Sequence, residues 1–447
     1  MGSNSIEEED NNHVIDIWEV NNERLASMHR KISEPPRLLS RAAGKSSCCI
    51  SRVPKSLIDV NGKSYQPQIV SIGPYHHGHP QFKMIEEHKW GYLGSLLSRT
   101  QPKGLGLEDY LKAIAKLELK ARESYSENIR LSSHEFVEMM VLDGCFIIEL
   151  FRKVGKLVPF EVDDPIISLS WILPFFYRDF LRLENQIPFF ILESLFELSN
   201  FPEDKSSPTL STLAMEFFNY SMQKPDQVIA KHTNLKGKHL LDLIRSSYIP
   251  PLQETEPNRV NTPTHIIHCI SKLRKAGIKL NPGDDDSFLV IKFKHGVIEM
   301  PTITIDDFMG SFLLNCVAFE QCYSGCSKHM TTYVTLLDCL INSYRDVEYL
   351  IEWNIIENYF GTDGEIAHLI NNMGKDVAFD IDLCYLSELF NQVHDYYRKS
   401  WHVQWASFKY TYFDTPWSFI SAFAALILLI LTVAQTYFTI ISYVRPS

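Results

Sequence analysis

At 447 residues, 45% of them hydrophobic and 22% charged, the chain is long enough for one large domain or two and apolar enough for a real core. Its formal net charge of −11 and pI near 5.8 exclude nucleic acid as the main partner, because phosphate binding needs a basic face. Nine cysteines, an odd number without a dense framework, fit free thiols in a reducing compartment better than a disulfide scaffold.

Residues 1–45 are polar and include the acidic run Glu7-Glu8-Glu9-Asp10. They read as a solvated, partly disordered tail. Within it Val14, Ile15, Ile17, Trp18 and Val20, followed by Leu25 and Met28, are spaced for a short helix that docks on the body. Ile6 stands where a myristoylation signal needs Ser or Thr. No apolar signal-peptide core follows.

Ile50 to Trp90 is dense in residues that fix a backbone. Pro54, Pro67, Pro74 and Pro80 each set φ and remove a donor. Gly62, Gly73 and Gly78 permit turns. The apolar patch Ile69-Val70-Ser71-Ile72 suits one buried strand or extended segment. The stretch is expected to pack on the core and to matter for stability.

A helical body, residues 46–410, is then expected. Apolar spacing predicts helices over 89–98, 108–125 and, more strongly, 134–151, the last carrying Phe136, Met139, Met140, Leu142, Cys145, Phe146, Ile147 and Leu150. Asp143 and Glu149 lie among these apolar residues. They read as a capping or paired acid and as an acid facing solvent or an arginine such as Arg152, with a catalytic reading as the competitor. Residues 179–196 read as an apolar helix interrupted by Glu184-Asn185-Gln186 and Pro188. Three polar side chains there are costly unless paired. They form either a polar site in the core or a hydrogen-bonded network fixing a kink at Pro188. Helices over 209–222 and 239–247 follow a Pro/Ser-rich loop at 200–207. The polar, Pro-rich segment 248–261 is the candidate sub-boundary.

The second half is expected to hold helices over 264–276, 304–322, 333–342, 346–353, 365–373 and 383–405. Residues 281–286 read as a turn-rich loop. Phe288 to Lys294 and Val297 to Ile305, with His295-Gly296 between them, read as a small β-hairpin. From Trp417 to Tyr443 the chain carries no charged side chain. That exceeds the ~20 apolar residues needed to cross a bilayer, and aromatic residues stand at both ends. A transmembrane helix over 415–444 follows, contacting the bilayer through 417–443. With three residues after the span and no N-terminal signal, a C-terminal single-pass anchor with the body in the cytosol is expected. Arg398, Lys399 and Lys409 against Arg445 agree with that orientation.

Chemical motifs are few. His76, His77, His79 and His88 form a His-rich cluster without the Cys or carboxylate spacing that completes a metal site. Cys316, Cys322, Cys326 and His329 lack a C-x2-C knuckle. Nucleophile-elbow, P-loop, dinucleotide and zinc-protease signatures are absent. No catalytic, cofactor or metal residue is assigned. The sequon at Asn219 falls on an amphipathic helix.

Several multi-residue stretches stand in order: R-V-P, Y-x-P-x-I-V-S-I-G-P-Y-H-H-G and E-E-H-K-W; M-M-V-L-D-G-C-F-I-I-E-L-F; L-R-L-E-N-Q-I-P-F-F-I-L-E; then F-L-V-I-K-F-K-H-G-V-I-E-M-P and I-E-N-Y-F-G-T-D-G-E-I-A-H-L-I. They resemble the plant DUF247 family, also called UPF0481 proteins, over about residues 50–444. The family's biochemical function is undefined. Some grass members are implicated in self-incompatibility recognition, which implies binding and not turnover. Two functions are therefore carried forward. One is a membrane-anchored interaction or recognition protein, with the plasma membrane as one candidate bilayer. The alternative is a membrane-anchored enzyme with a polar pocket near Glu184 or the His76/His77/His79 cluster.

Overall fold

The computed structural model describes residues 22–33, 39, 42–161, 164–200, 208–250, 266–381, 384–398 and 416–444. The fold is mainly α-helical with two small sheets. In the first half the helices are α1 (Asn22–Ser33), α2 (Lys55–Asn61), α3 (Lys83–Thr100), α4 (Leu107–Ala115), α5 (Glu118–Arg122) and α6 (Ser133–Val154). They continue as α7 (Pro165–Ser168), α8 (Ile172–Asp179), α9 (Phe189–Ser199), α10 (Leu210–Met222), α11 (Asp226–Ala230) and α12 (Leu240–Ser246).

Helix α6 is the axis of this half. Ser132 and Glu135 close a reciprocal capping box at its start. Its apolar residues then run almost without interruption, so it is buried on all faces from Phe136 to Lys153 apart from Glu138. Helices α3, α4, α9 and α10 pack around it. Gly144 faces α9, and a Cβ there would stand 2.4 Å from Leu195 Cδ1, so that side chain would have to shift. Phe146 meets Tyr92, Phe176 and Phe180 edge-to-face, with centroids 5.1, 5.8 and 6.3 Å apart, a favourable aromatic geometry.

The second half adds α13 (Ile270–Lys275), α14 (Asp307–Cys322), α15 (His329–Leu340), α16 (Tyr344–Glu352), α17 (Asp363–Met373) and α18 (Ser387–Arg398). Helix α14 contacts α8, α12 and α15, and the apolar core is continuous from Cys49 to Val393. The hairpin exists, as β2 (Lys292–Lys294) antiparallel to β3 (Val297–Pro301). His295 and Gly296 both have positive φ, 51° and 79°, as a tight primed turn requires. Two features differ from expectation. An unforeseen strand, β1 (Lys279–Gly283), joins β3 in parallel. Residues 303–305, expected in the hairpin, form β4 (Ile303–Ile305), which leaves to pair in parallel with β5 (Ile356–Asn358). Both pairings join distant segments, so local alternation could not announce them.

The last described helix is α19 (Pro416–Val444). Its segment Ile420–Ile441 has a mean hydropathy of 2.2 and no buried residue, and is long and apolar enough to cross a membrane. Thr432, Thr436 and Thr439 donate their hydroxyls to the carbonyls of Leu428, Thr432 and Gln435, at 2.7–2.8 Å. The helix thus satisfies these polar groups itself, as a lipid environment demands. The expected docking helix is only partly described. Val14 to Val20 lie outside the described residues, and Leu25 and Met28 do not dock, being 41% and 58% exposed. Most of the 248–261 segment, the 200–207 loop and Lys399 to Trp405 also lie outside them.

Candidate functional site

Asp143, Glu184, Asn185 and Gln186, singled out in the sequence, converge on one buried hub beneath Ile50–Trp90. Residues 184–186 are not inside a helix. Helix α8 stops at Asp179, α9 starts after Pro188, and Glu184-Asn185-Gln186 form the turn between them. Proline disfavours helix in the residue before it, so the expected kinked helix becomes two helices.

The patch Ile69–Ile72 starts in a bend at Gln68 and Ile69 and belongs to no sheet. Side chains replace the ladder. The Asp179 carboxylate accepts the backbone N–H groups of Gln68, Ile69 and Val70 at 2.8–3.2 Å. Asn185 accepts from Ile72 N–H at 2.7 Å and donates to Val70 carbonyl at 3.1 Å. It thereby copies the donor-acceptor pattern of a neighbouring strand. Asp143 accepts from Gly73 N–H at 2.8 Å.

Each charge in the hub has an opposite. Lys89, 1% exposed, donates to Asp143 at 2.6 Å and to Glu86 and the Ser71 carbonyl at 2.5 Å. Arg182 donates to Asp179 at 3.0 Å and to the Lys63 carbonyl at 2.9 Å. Burial pushes the Asp179 carboxyl above its ordinary value, against the pull of Arg182 and the three N–H groups. Glu184 accepts from Val53 N–H at 2.8 Å and Arg52 at 2.7 Å. Burial raises the Glu184 carboxyl, but His76, Val53 N–H and Arg52 together bring it below the ordinary range. His76 Nε2 lies 3.4 Å from Glu184 Oε2, within ion-pair reach but outside hydrogen-bond geometry.

Glu149 is fully buried and held bidentate by Arg99 at 2.5–2.6 Å. It does not face solvent; it pairs with an arginine as expected, but with Arg99 and not with Arg152. Arg152 donates instead to Ser199 and Asn200 at 2.8–2.9 Å. A second hub joins the halves. Arg245 donates to Glu320 at 2.7 Å and Asp242 at 3.2 Å, and also to the Ser327 carbonyl. Glu320 in turn accepts Met330 and Thr331 N–H at 3.1 and 2.8 Å, which neutralises free donors at the start of α15.

The metal candidates disperse. His77 and His79 are exposed, His76 turns toward Glu184, and His88 sits at a separate cleft. Cys316 is buried in α14, the Cys326 thiol donates to the Tyr323 carbonyl at 3.3 Å, and His329 stacks on Tyr385 with centroids 4.4 Å apart. Burial pushes the Cys322 and Cys326 thiols up to about 11, away from the thiolate that metals bind. Among the described residues no group of three or more His, Cys, Asp and Glu is placed to hold a metal.

Among the depressions at the surface of the described residues are a polar cleft and an apolar groove. The polar cleft of about 230 Å³ is lined by His88, Tyr92, Lys153, Glu161 and Asp164. Tyr92 donates to Asp164 at 2.8 Å, and Lys153 contacts the same carboxylate at 3.4 Å. The apolar groove of about 500 Å³ runs between α3, α4 and α6, past Trp90, Leu107, Leu111 and Val141. Neither is lined by Glu184, His76, His77 or His79.

His239 makes the hub pH-sensitive. It is fully buried, its Nδ1 accepts from Asp242 N–H at 3.3 Å, and its Nε2 lies 3.2 Å from the Cys49 carbonyl. This pattern needs the neutral ring with hydrogen on Nε2. Burial lowers its pKa to about 4. The unfolded chain takes up this proton below ~6.5, so the stability is full above that pH and is lost on the way down to about 4. About 2 kcal/mol should be gone by roughly pH 5. His239→Asn keeps an N-cap acceptor for α12 but cannot titrate. Denaturant midpoints at neutral and acidic pH should therefore move less in the variant than in the parent. An equal movement contradicts the buried neutral ring.

Lys89, Asp179, Arg182, Arg245 and Glu320 were missed in the sequence. A signal existed for Lys89, which lies four residues after Ile85 and three before Tyr92, both buried. A charge on the apolar stripe of a helix announces a buried partner.

A mainly α-helical body with two small sheets, a buried ionic framework and a separate apolar C-terminal helix defines the class of fold. A family model described as "Plant protein of unknown function", DUF247, matches residues 50–431, and the chain belongs to this family. It is similar to the UPF0481 protein At3g47200 of Arabidopsis thaliana, 38% identical over 435 residues, covering 92% of this chain and 90% of that one. It is also similar to the putative UPF0481 protein At3g02645 of the same plant, 23% identical over 490 residues, covering 88% and 90%. No solved structure matches.

Proposed function

We propose that the protein is a membrane-anchored binding protein, a recognition or signalling component whose body is held at a bilayer by α19. The observation that carries the anchor is the exposure of Ile420–Ile441. A helix of this hydropathy in a protein core would be mostly buried, whereas none of it is. A bilayer would cover it.

Binding is favoured over turnover by where the ionisable groups stand. Asp143, Asp179, Glu149 and Glu184 spend their oxygens on buried cations and backbone N–H groups. A catalytic acid or base must instead reach a substrate in a cleft. Nine free cysteines and the Lys/Arg excess before α19 fit a cytosolic body, and the plasma membrane is one bilayer that would serve.

Full-length protein in plant microsomes should resist alkaline carbonate extraction, and protease added outside sealed vesicles should digest the body. Proximity labelling from the anchored chain should return a reproducible protein partner. Carbonate release would refute the anchor. Glycan at Asn219 would refute the orientation. That side chain is already committed, donating to Lys224 carbonyl at 3.0 Å and accepting from Lys224 N–H at 2.8 Å.

A further inference from the structure

We propose that α1 is a membrane-surface helix that lies on an anionic bilayer, a second lipid contact beside α19. The inference rests on the anchored reading above.

Helix α1 has no buried residue. At 3.6 residues per turn Leu25, Met28 and Ile32 fall within about 60° of one another. They form one apolar stripe, and they are 41%, 58% and 78% exposed. A helix with such a stripe is normally covered along it. The body does not cover it, although the chain rejoins the body just beyond. Leu39 bridges Glu127, and Asn128 donates to the Leu39 carbonyl at 3.0 Å.

Charge selects what does cover it. Helix α1 itself holds three Lys or Arg, namely Arg24, Arg30 and Lys31, against Glu23. This is a net of +2 inside a chain of −11. Arg24 and Lys31 flank one side of the stripe on the helical wheel, where their stems can lie along apolar surface with the charges among headgroups. Basic charge beside an apolar stripe is the pattern of helices that rest on anionic lipid. Three apolar residues bind a membrane weakly alone. A body already tethered to the bilayer needs only the intramolecular step, at the high effective concentration that tethering supplies.

Amide exchange of the full-length protein in nanodiscs tests this. Discs of phosphatidylcholine are compared with discs of phosphatidylcholine and phosphatidylserine. Exchange over residues 22–33 should slow by about tenfold or more in the anionic discs. Leu25→Gln/Met28→Gln/Ile32→Gln should abolish that slowing, and Arg24→Gln/Lys31→Gln should reduce it to the phosphatidylcholine level. Equal exchange in both lipids overturns the proposal, whether fast in both or slow in both, the latter meaning that protein covers the stripe. Failure of the anchor is seen separately, as loss from the discs on alkaline wash. In that case co-sedimentation of the full chain with phosphatidylserine vesicles, lost in the triple variant, still supports the helix, and binding unchanged by the triple variant refutes it.

Discussion

Asp179→Ala is expected to prevent accumulation of folded protein. The substitution strips the acceptor from the N–H groups of Gln68, Ile69 and Val70 and removes the counter-charge of Arg182, which is 2% exposed. Breaking a buried ion pair from one side costs about 3–5 kcal/mol, because the remaining charge is left uncompensated. Each buried N–H without a partner adds roughly 1–3 kcal/mol. The sum is comparable to the whole stability of a domain, about 5–15 kcal/mol. Adding Arg182→Met to an Asp179→Leu background should recover part of the loss. It removes the stranded guanidinium but leaves the three N–H groups orphaned. Yield of soluble body and thermal denaturation in detergent would read both. A melting temperature for Asp179→Ala within about 2 °C of the parent would refute the bracing role of this carboxylate.

The same residue shows how far sequence reasoning reached. Helices declare themselves through a period close to 3.6, which is a property of neighbours along the chain. That is why α6, α10 and α17 stand where the spacing puts them. The signature stretch was legible as ordered, since its prolines and glycines exclude a flexible linker, and its apolar patch was legible as buried, as Val70 and Ile72 are. What braces that patch was not legible. Asp179 lies more than a hundred residues away and reads locally as the polar start of an apolar run. Its role exists only once the turn at 180–188 swings it under Gln68 to Val70. Asn185 and Glu184 were recognisable as costly unless paired, but not the identity of their partners. The hub is tertiary, and a single sequence carries its cost more plainly than its geometry.

Gly73 puts the packing of that stretch to a sharper test. Its φ is +76°, a region L side chains resist, and a Cβ would stand 2.4 Å from the Gln186 carbonyl oxygen. The obstacle is backbone and cannot swing aside. Gln186 is fixed in place, for its carbonyl accepts from Tyr125 at 3.0 Å and its amide donates to the Phe180 and Arg182 carbonyls at 2.7 and 2.8 Å. Gly78 offers the control. It has the same φ of +76° with nothing within 4 Å of its would-be Cβ. Gly78→Ala should cost only the left-handed backbone term, about 1–2 kcal/mol. Gly73→Ala should exceed it by several-fold, and Gly73→Val should cost more again, because the turn at 184–186 must move away from the Ile69–Gly73 backbone and Asn185 then loses its bonds to Ile72 N–H and the Val70 carbonyl. Chemical denaturation of the three variants would separate the terms. Equal losses at Gly73 and Gly78 would mean that the two segments do not meet as closely as this geometry has them. Loss of partner labelling from Gly73→Ala at undiminished stability would instead move Ile50–Trp90 from the interior framework to the binding surface.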